Sequence, residues 1–271
     1  MVKFSFVQGR LSAPIANKYQ HFPTNNWRQE FKIGKSIGFQ GMEWIISDFS
    51  NPLFDNKSQL EIISLCKENN ISISSISLDL LMQKTLNRFS LSEITWMLEK
   101  INKISKKVGL KRVSIPIEES CGIRDPQTFK EVQKSIIRLI ETNVISASYL
   151  AVETDMSPQA LKNFLKQPKM KDLGILLDVG NAAAYGYSLE NYFNELSEKI
   201  ISIHIKDRRK GFGISVPLGK GDAEFNYLFK NINKLKNLRD ITFQTYKSPD
   251  NFVEDLKNAK KYISNFIDIG N

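Results

Sequence analysis

Residues 150–205 read LAVETDMSPQALKNFLKQPKMKDLGILLDVGNAAAYGYSLENYFNELSEKIISIHI. Three short β-rich runs lie in this stretch, at Leu150–Glu153, Gly174–Asp178 and Ile200–Ile205, and segments with helical periodicity separate them. The runs are almost wholly apolar, which is typical of parallel strands that are covered on both faces. The alternation therefore predicts an α/β fold built on a parallel sheet.

The same alternation continues on both sides of this stretch. Five more β-rich runs complete the series, at Lys3–Val7, Gly41–Ile46, Ile71–Leu78, Arg112–Ile117 and Ile241–Tyr246. Eight such units without a glycine motif for nucleotide binding favour a closed (β/α)8 barrel over an open, doubly wound sheet. We expect a single TIM barrel over residues 1–271, with its active site at the C-terminal ends of the strands.

Several helix boundaries are marked by their residues. Asp125-Pro126 and Ser157-Pro158 predict N-caps followed by a proline at the first helical position, and Ser90-Leu-Ser-Glu93 predicts a capping box. Three glycines that precede β-rich runs predict left-handed helix ends, at Gly38, Gly109 and Gly174.

The composition is that of an ordinary globular protein. The 271 residues are 41% hydrophobic and 25% charged, which excludes the disordered, collagen-like and disulfide-scaffold classes. No apolar run approaches the roughly 18 residues that a membrane span requires, and Met1–Val7 predicts a strand rather than a signal peptide. Cys66 and Cys121 are far from any Cys/His cluster, as is usual in a reducing compartment. We therefore expect a cytoplasmic protein without a membrane partner.

The charge balance is basic. The chain has 38 Lys and Arg against 29 Asp and Glu, a formal net charge of +9. The lysines are scattered and form only short clusters, so we interpret them mainly as solvated helix and loop surfaces. This pattern does not favour a nucleic acid partner, whereas an anionic small substrate stays compatible with it.

Four consecutive predicted strands end in polar side chains, which buried strands have no packing reason to carry. They are Glu153, Asp178, His204 and Gln244. Because the C-terminal ends of barrel strands converge on one axis, we expect these side chains to meet. Two carboxylates, an imidazole and an amide oxygen suit one divalent cation, such as Mn²⁺, Mg²⁺, Co²⁺ or Zn²⁺. A buried hydrogen-bond and ion-pair network that stiffens the barrel mouth is the alternative.

Seven segments of the chain are informative when taken together. They are Val7–Leu11, His21–Pro23, Gly38–Ile45, Val152–Glu153, Leu177–Asn181, His204–Arg208 and Val216–Gly221. With these segments the chain resembles the xylose-isomerase-like superfamily of TIM barrels over essentially its whole length. The resemblance implies a metal-dependent sugar or sugar-phosphate isomerase or epimerase with a small-molecule carbohydrate substrate. It also implies that Glu153, Asp178, His204 and Gln244 hold the metal, although the family commonly has a glutamate at the last position.

The amide at position 244 affects the mechanism that the resemblance implies. In relatives that epimerise free ketoses, two glutamates act as acid and base on opposite faces of an enediolate, and an amide cannot exchange protons at neutral pH. We therefore predict a one-base scheme, in which Glu153 removes a proton next to a carbonyl while the metal stabilises the developing enediolate. Lys206 shares the inward parity of His204 if the strand continues, which makes it a candidate second acid.

Further polar residues near the predicted strand ends are candidates for substrate binding. They are Arg10, Glu43, Glu118, Asn181 and Arg208. Other interpretations stay open: Glu43 could pair with Arg10, Asn181 could be a turn residue, and Lys206 and Arg208 could be exposed rim charges. The loop Leu218–Asp222, with two glycines and a lysine, could bind a sugar phosphate through its backbone N–H groups.

Three other functions compete with this prediction. Apurinic-site endonucleases share the superfamily fold, but they hold three metals with many histidines, and this chain has only His21 and His204. A metal-dependent dehydratase of a polyol or keto acid begins with the same proton abstraction, so only a substrate screen separates it. The third is a non-catalytic sugar-binding barrel, for which Gln244 would mark a lost active site. Exposed apolar groups on the outer helices would permit a homodimer.

Overall fold

The computed structural model of the chain describes residues 3–15, 20–211 and 213–268. Within these ranges, eight parallel strands form a closed barrel: β1 Lys3–Val7, β2 Gly41–Ile45, β3 Ser72–Ser77, β4 Arg112–Ile117, β5 Leu150–Thr154, β6 Gly174–Asp178, β7 Ile200–Ile205 and β8 Asp240–Phe243. Each strand pairs with its sequence neighbour, and β8 closes the barrel against β1. The predicted (β/α)8 barrel is confirmed, and Met1 and Val2 lie outside the described residues.

Helices between the strands cover the outside of the barrel. They are α1 Trp27–Ser36, α2 Asn56–Asn69, α3 Leu91–Val108, α4 Pro126–Glu141, α5 Pro158–Phe164, α6 Val179–Tyr185, α7 Leu189–Leu196, α8 Phe225–Asn231 and α9 Phe252–Ile263. The predicted caps are confirmed: Asp125 and Ser157 accept backbone N–H groups of α4 and α5, and Ser90 and Glu93 form the capping box of α3. In the described part of the chain, no helix has both the length and the apolar character that crossing a membrane demands.

One of the three predicted glycine caps is wrong. Gly38 and Gly109 have positive φ angles of 82° and 80°, as left-handed helix ends require. Gly174 instead begins β6, and its φ is not in the left-handed region. A Cβ at this position would overlap the side chain of Ile201 on β7. The glycine is therefore explained by the close approach of two strands rather than by the end of a helix.

The last strand ends earlier than predicted. β8 stops at Phe243, three residues before the predicted end at Tyr246. The N–H of Gln244 still donates to the carbonyl oxygen of Ile205 at 3.0 Å, so the ladder with β7 continues for one further bond. Beyond this point the carbonyl of Thr245 accepts from Arg10 Nε at 2.9 Å instead of from a strand. Gln244 thus lies at the barrel mouth, directly after β8.

The barrel interior below the mouth is charged. Arg112, the first residue of β4, is fully buried and donates to Glu43 on β2, to Ser114 and, at 3.2 Å, to Asp240 on β8. Asp240 also accepts from the hydroxyl of Ser202 at 2.6 Å. A buried guanidinium needs such carboxylate partners, because an unpaired charge inside a protein is strongly unfavourable. The network connects strands on opposite sides of the barrel.

Candidate metal centre at the barrel mouth

Three of the four predicted metal ligands come together at the C-terminal ends of neighbouring strands. Glu153 on β5, Asp178 at the end of β6 and His204 on β7 each offer one ligand atom, and these atoms lie within 4.8 Å of one another. The register places Asp178 directly beside His204, and all three side chains are buried. Parallel strands that end together thus bring two carboxylates and an imidazole to one point.

His204 lies between two carboxylates. Its Nδ1 is 3.1 Å from Glu153 Oε1, and its Nε2 is 3.0 Å from Glu43 Oε1 on the other side of the ring. Burial disfavours a charged imidazole, but the two carboxylates outweigh it and raise the pKa of His204 to about 10. Burial likewise opposes ionisation of Glu43, yet Arg112 and His204 hold the pKa of Glu43 below its ordinary value. Glu43 is therefore a carboxylate aimed at the imidazole nitrogen that faces away from Glu153.

The donor atoms at the mouth fit a divalent cation. Asp178 Oδ1 accepts the N–H of Asn181 at 2.8 Å as the N-cap of α6, whereas Oδ2 is buried, receives no hydrogen bond from the described residues and has the Lys206 ammonium 3.3 Å away. The Oε1 atom of Gln244 is also buried, and among the described residues nothing donates to it. Buried oxygens without donors are costly unless a cation or a ligand compensates them. Glu153, Asp178, His204 and Gln244 are thus the residues that could hold a metal ion.

Two cationic side chains close one side of the mouth. Lys206 Nζ is 3.3 Å from Asp178 Oδ2. Burial alone would lower the pKa of Lys206, but the charges of Asp178 and Glu118 outweigh it and raise this pKa above its ordinary value. Arg208 donates to the side-chain oxygen of Asn181 and, at 3.1 Å, to Glu119. The interpretation of Lys206 and Arg208 as exposed rim charges is therefore wrong. They face inward even though β7 ends at Ile205, because Asp207–Arg208 forms a short antiparallel pair with Ser215–Val216.

Glu118 and Asn181 form a second polar pair beside the cations. Asn181 is the third residue of α6 rather than a turn residue, and its Nδ2 donates to Glu118 Oε2. Burial, together with the charges of Glu153 and Asp178, raises the pKa of Glu118 well above its ordinary value. Burial therefore favours the protonated form of Glu118, which lies next to the residues that could hold a metal.

The proposed pairing of Glu43 with Arg10 is wrong. Glu43 is fully buried below His204, where it accepts from Arg112 and, at 2.9 Å, from Ser75 Oγ. Arg10, which follows the neighbouring strand β1, instead donates to Thr245 and Gln20. Direct substrate contact by Glu43 or Arg10 stays a prediction.

The loop after β7 does not offer free N–H groups for a phosphate. The carboxylate of Asp207 accepts the N–H groups of Gly219 at 2.8 Å, Gly221 at 3.0 Å and Ala223 at 3.1 Å. These are the backbone donors that the glycines of Leu218–Asp222 would otherwise present to an anion. The predicted phosphate site is thus occupied by an acidic side chain of the protein itself.

Sequence reasoning missed two residues of the mouth. Gln20, on the loop after β1, accepts from Arg10 Nη2 and from Gln244 Nε2, both at 3.0 Å. Its own Nε2 donates to Asp79 Oδ2 at 2.7 Å, and burial raises the pKa of Asp79 to about 6. Gln20 lies in a loop away from any strand end, so the pattern gave no signal for it, whereas Asp79 directly follows the predicted strand Ile71–Leu78 and could have been found in the way that Glu118 was.

Comparison with known proteins is consistent with this geometry. The sequence profile of a family described as the xylose isomerase-like TIM barrel matches residues 31–262. The chain belongs to this family. A Haemophilus influenzae protein named "putative L-ribulose-5-phosphate 3-epimerase" is 23% identical over 261 aligned residues, which cover 88% of this chain and 90% of that protein.

Solved structures share the fold of this xylose isomerase-like barrel. D-psicose 3-epimerase from Clostridium cellulolyticum, solved with D-tagatose, has a TM-score of 0.72 at 10% identity, over 98% of this chain and 99% of that one. The protein IOLI, solved with a bound zinc atom, has a TM-score of 0.71 at 15% identity, over 98% and 99% of the two chains. Proteins named as epimerases and a protein solved with a zinc atom therefore share this fold.

Proposed function

We propose that this xylose isomerase-like barrel is a divalent-metal-dependent isomerase or epimerase that acts on a sugar or sugar phosphate. The observation that carries the proposal is the convergence of Glu153, Asp178 and His204, whose buried ligand atoms lie within 4.8 Å of one another. Gln244 directly follows the neighbouring strand β8, and its buried Oε1 receives no hydrogen bond from the described residues. The epimerase names of the relatives and the zinc atom of one structural neighbour support the same class.

The metal would be held by Glu153, Asp178, His204 and Gln244. When bound, it would act as a Lewis acid that polarises a substrate carbonyl and so acidifies the neighbouring C–H bond. Glu43, whose Oε1 lies 3.0 Å from Nε2, would hold the imidazole with Nδ1 on the metal side, where Nδ1 would have to lose its proton to serve as a ligand. Arg112, on the far side of Glu43, keeps that carboxylate ionised.

Glu153 is the proposed base. Its carboxylate takes the proton from the carbon next to the carbonyl, the C–H electron pair forms the C–C double bond, and the carbonyl oxygen accepts negative charge. Lys206, beside Asp178, and Glu118, beside Asn181, would be the groups next to the base that contact substrate oxygens. An aldose–ketose isomerisation is completed when Glu153 returns the proton to the former carbonyl carbon and the hydroxyl proton of the deprotonated carbon is transferred to the former carbonyl oxygen. Gln244 cannot return a proton to the opposite face, because an amide does not titrate at neutral pH.

The first test measures metal content and proton exchange together. Wild type, Glu153→Gln and His204→Ala are loaded with Mn²⁺, dialysed and analysed for bound metal, with His21→Ala as the matched control at the other histidine. We expect one Mn²⁺ per chain in wild type and His21→Ala, and an affinity at least about 100-fold lower in His204→Ala, since an imidazole ligand is lost.

The same proteins are then incubated in D₂O with free and phosphorylated ketoses and aldoses. We expect wild type to incorporate deuterium next to the carbonyl, and Glu153→Gln to do so about 10² to 10⁴ times more slowly. Loss of water from a substrate without exchange would identify a dehydratase instead. Wild type that binds no metal and exchanges no proton would overturn the proposal and favour a non-catalytic sugar-binding barrel.

A further inference from the structure

The side chain of Gln244 has two chemically different ends. Its Oε1 can ligate a cation, whereas its NH₂ group has no available lone pair and only donates hydrogen bonds. A glutamate at the same position would have two equivalent oxygens and would need no such distinction. If Gln244 contributes to a metal site, a neighbouring group must therefore hold its amide in the orientation in which Oε1 faces the cation.

The orientation of the neighbouring Gln20 amide follows from its partners. Arg10 Nη2 lies 3.0 Å from one end of the amide, and a guanidinium only donates, so that end is the carbonyl oxygen. The other end lies 2.7 Å from Asp79 Oδ2, where a carboxylate accepts from the NH₂ group. Both contacts give Gln20 the same orientation, with Oε1 toward Arg10.

That orientation determines which end of Gln244 faces Gln20. Gln20 Oε1 is 3.0 Å from Gln244 Nε2, and because this oxygen is an acceptor, the Gln244 atom facing it must be the NH₂ group. With donors from both Arg10 and Gln244, the two lone pairs of Gln20 Oε1 are used. The oxygen of Gln244 is left as the other end of the amide, where it is buried and receives no hydrogen bond from the described residues.

Arg10 ties this arrangement to the backbone next to Gln244. Its Nε donates to the carbonyl oxygen of Thr245 at 2.9 Å, and the side chain is only 2% exposed. Without Gln20 as acceptor, the hydrogen bond that distinguishes the two ends of the Gln244 amide would be lost. Both orientations of the amide would then be populated, and only one of them presents the oxygen to a cation.

We propose that Gln20 and Arg10 are positioning residues that hold the Gln244 amide with its oxygen available to the metal. This inference rests on the proposed function, since it requires a metal at the site. It gives the amide at position 244 a defined role: the NH₂ end is held by Gln20, and the oxygen end is left for a cation.

A double-mutant cycle tests the inference without any activity measurement. The Mn²⁺ dissociation constant is measured by the electron paramagnetic resonance signal of free Mn²⁺ for wild type, Gln20→Met, Gln244→Glu and the double variant. Gln59→Met, which removes a buried glutamine whose Nε2 donates to Leu53 on the outside of the barrel, is the matched control. Thermal unfolding followed by circular dichroism shows whether each variant is folded.

We expect Gln20→Met to weaken Mn²⁺ binding about tenfold in the wild-type background, the factor that corresponds to one net hydrogen bond. In the Gln244→Glu background the same substitution should change the affinity by less than about twofold, because a carboxylate needs no orientation. An equal loss in both backgrounds would show a merely structural role for Gln20 and overturn the inference. If wild type binds Mn²⁺ and Gln20→Met binds it with unchanged affinity, the inference is overturned as well. If wild type binds no Mn²⁺, the proposed function is overturned and this inference falls with it.

Discussion

At the scale of single residues, the orientation of the His204 imidazole depends on the carboxylate that faces its Nε2 atom. Its Nε2 faces Glu43, and Glu43 is held in turn by Arg112 inside the barrel. A carboxylate behind a metal-binding histidine fixes the tautomer and the ring orientation, and raises the basicity of the coordinating nitrogen. Glu43 thus serves the candidate metal site without being a ligand.

We predict that Glu43→Gln weakens Mn²⁺ binding by about 10- to 100-fold, the range found when groups behind metal ligands are removed. The matched control is Asp240→Asn, because Asp240 also contacts Arg112 but does not touch His204. The measurement is the Mn²⁺ dissociation constant of each folded variant. Equal losses in both variants would show that the buried charges act only through the stability of the barrel.

The residues that could be predicted from the sequence are those with an unusual place in a regular element. Glu153, Asp178 and His204 could be found because a polar side chain at the end of an apolar strand has no packing explanation. Arg112 is the first residue of a strand, a position where a charged side chain is usually exposed to solvent. Gln20 lies in a loop, where no periodicity indicates which side chains are buried. Their roles depend on contacts across the barrel that no local pattern encodes.

At the scale of elements, the loop between β1 and α1 is fastened by a carboxylate. Glu30 on α1 is buried and accepts the N–H groups of Gly9 at 2.9 Å and Leu11 at 3.0 Å, and the hydroxyl of Ser12 at 2.8 Å. Burial raises the pKa of Glu30 from 4.5 to about 7, although these hydrogen bonds and the charge of Lys247 oppose the shift. The same loop leads to Gln20 at the barrel mouth.

This pKa predicts a pH-dependent stability. Between pH 4.5 and about 7 the native protein keeps a proton on Glu30 that the unfolded chain has lost, so the free energy of unfolding falls as the pH rises. We predict that from about pH 4 to about pH 8 the unfolding free energy of wild type falls by on the order of 3 kcal/mol relative to that of Glu30→Gln, because the glutamine does not titrate. Urea unfolding across this range checks it, and a difference that stays constant would contradict the assigned pKa.

The elements at the barrel mouth also show where local patterns mislead. Two glycines and a lysine in a loop after a strand suggest an anion site, but Asp207, two residues after β7, takes the N–H groups itself. The sequence pattern for a phosphate loop and for a loop closed on its own carboxylate is the same. Only the path of the chain after β7 decides between them.

At the scale of the whole molecule, one guanidinium joins strands that are far apart around the barrel. Arg112 on β4 contacts Glu43 on β2 and Asp240 on β8, and all three side chains are fully buried. The closed barrel could be predicted from the eight strand–helix units. The charge inside it could not, because the pairing of Arg112 with residues 43 and 240 depends on the complete closure.

Removing this charge should destabilise the entire barrel. We predict that Arg112→Met lowers the free energy of unfolding by about 3 to 5 kcal/mol, since it leaves two buried carboxylates without their cation. Arg138→Met, at an exposed position of α4, is the control and should cost no more than about 0.5 kcal/mol. Chemical denaturation of both variants measures the difference, and equal stabilities would show that the buried charges are compensated in another way.

The ladder between β1 and β8 has a consequence for synthesis on the ribosome. Its register pairs Lys3 with Asp240, so β1 receives its second neighbour only after residues 240–243 have been translated. Until then both edge strands of the growing sheet have unpaired backbone groups, which can pair with other polypeptides. The nascent chain is therefore exposed to such pairing until residues 240–243 emerge and close the barrel.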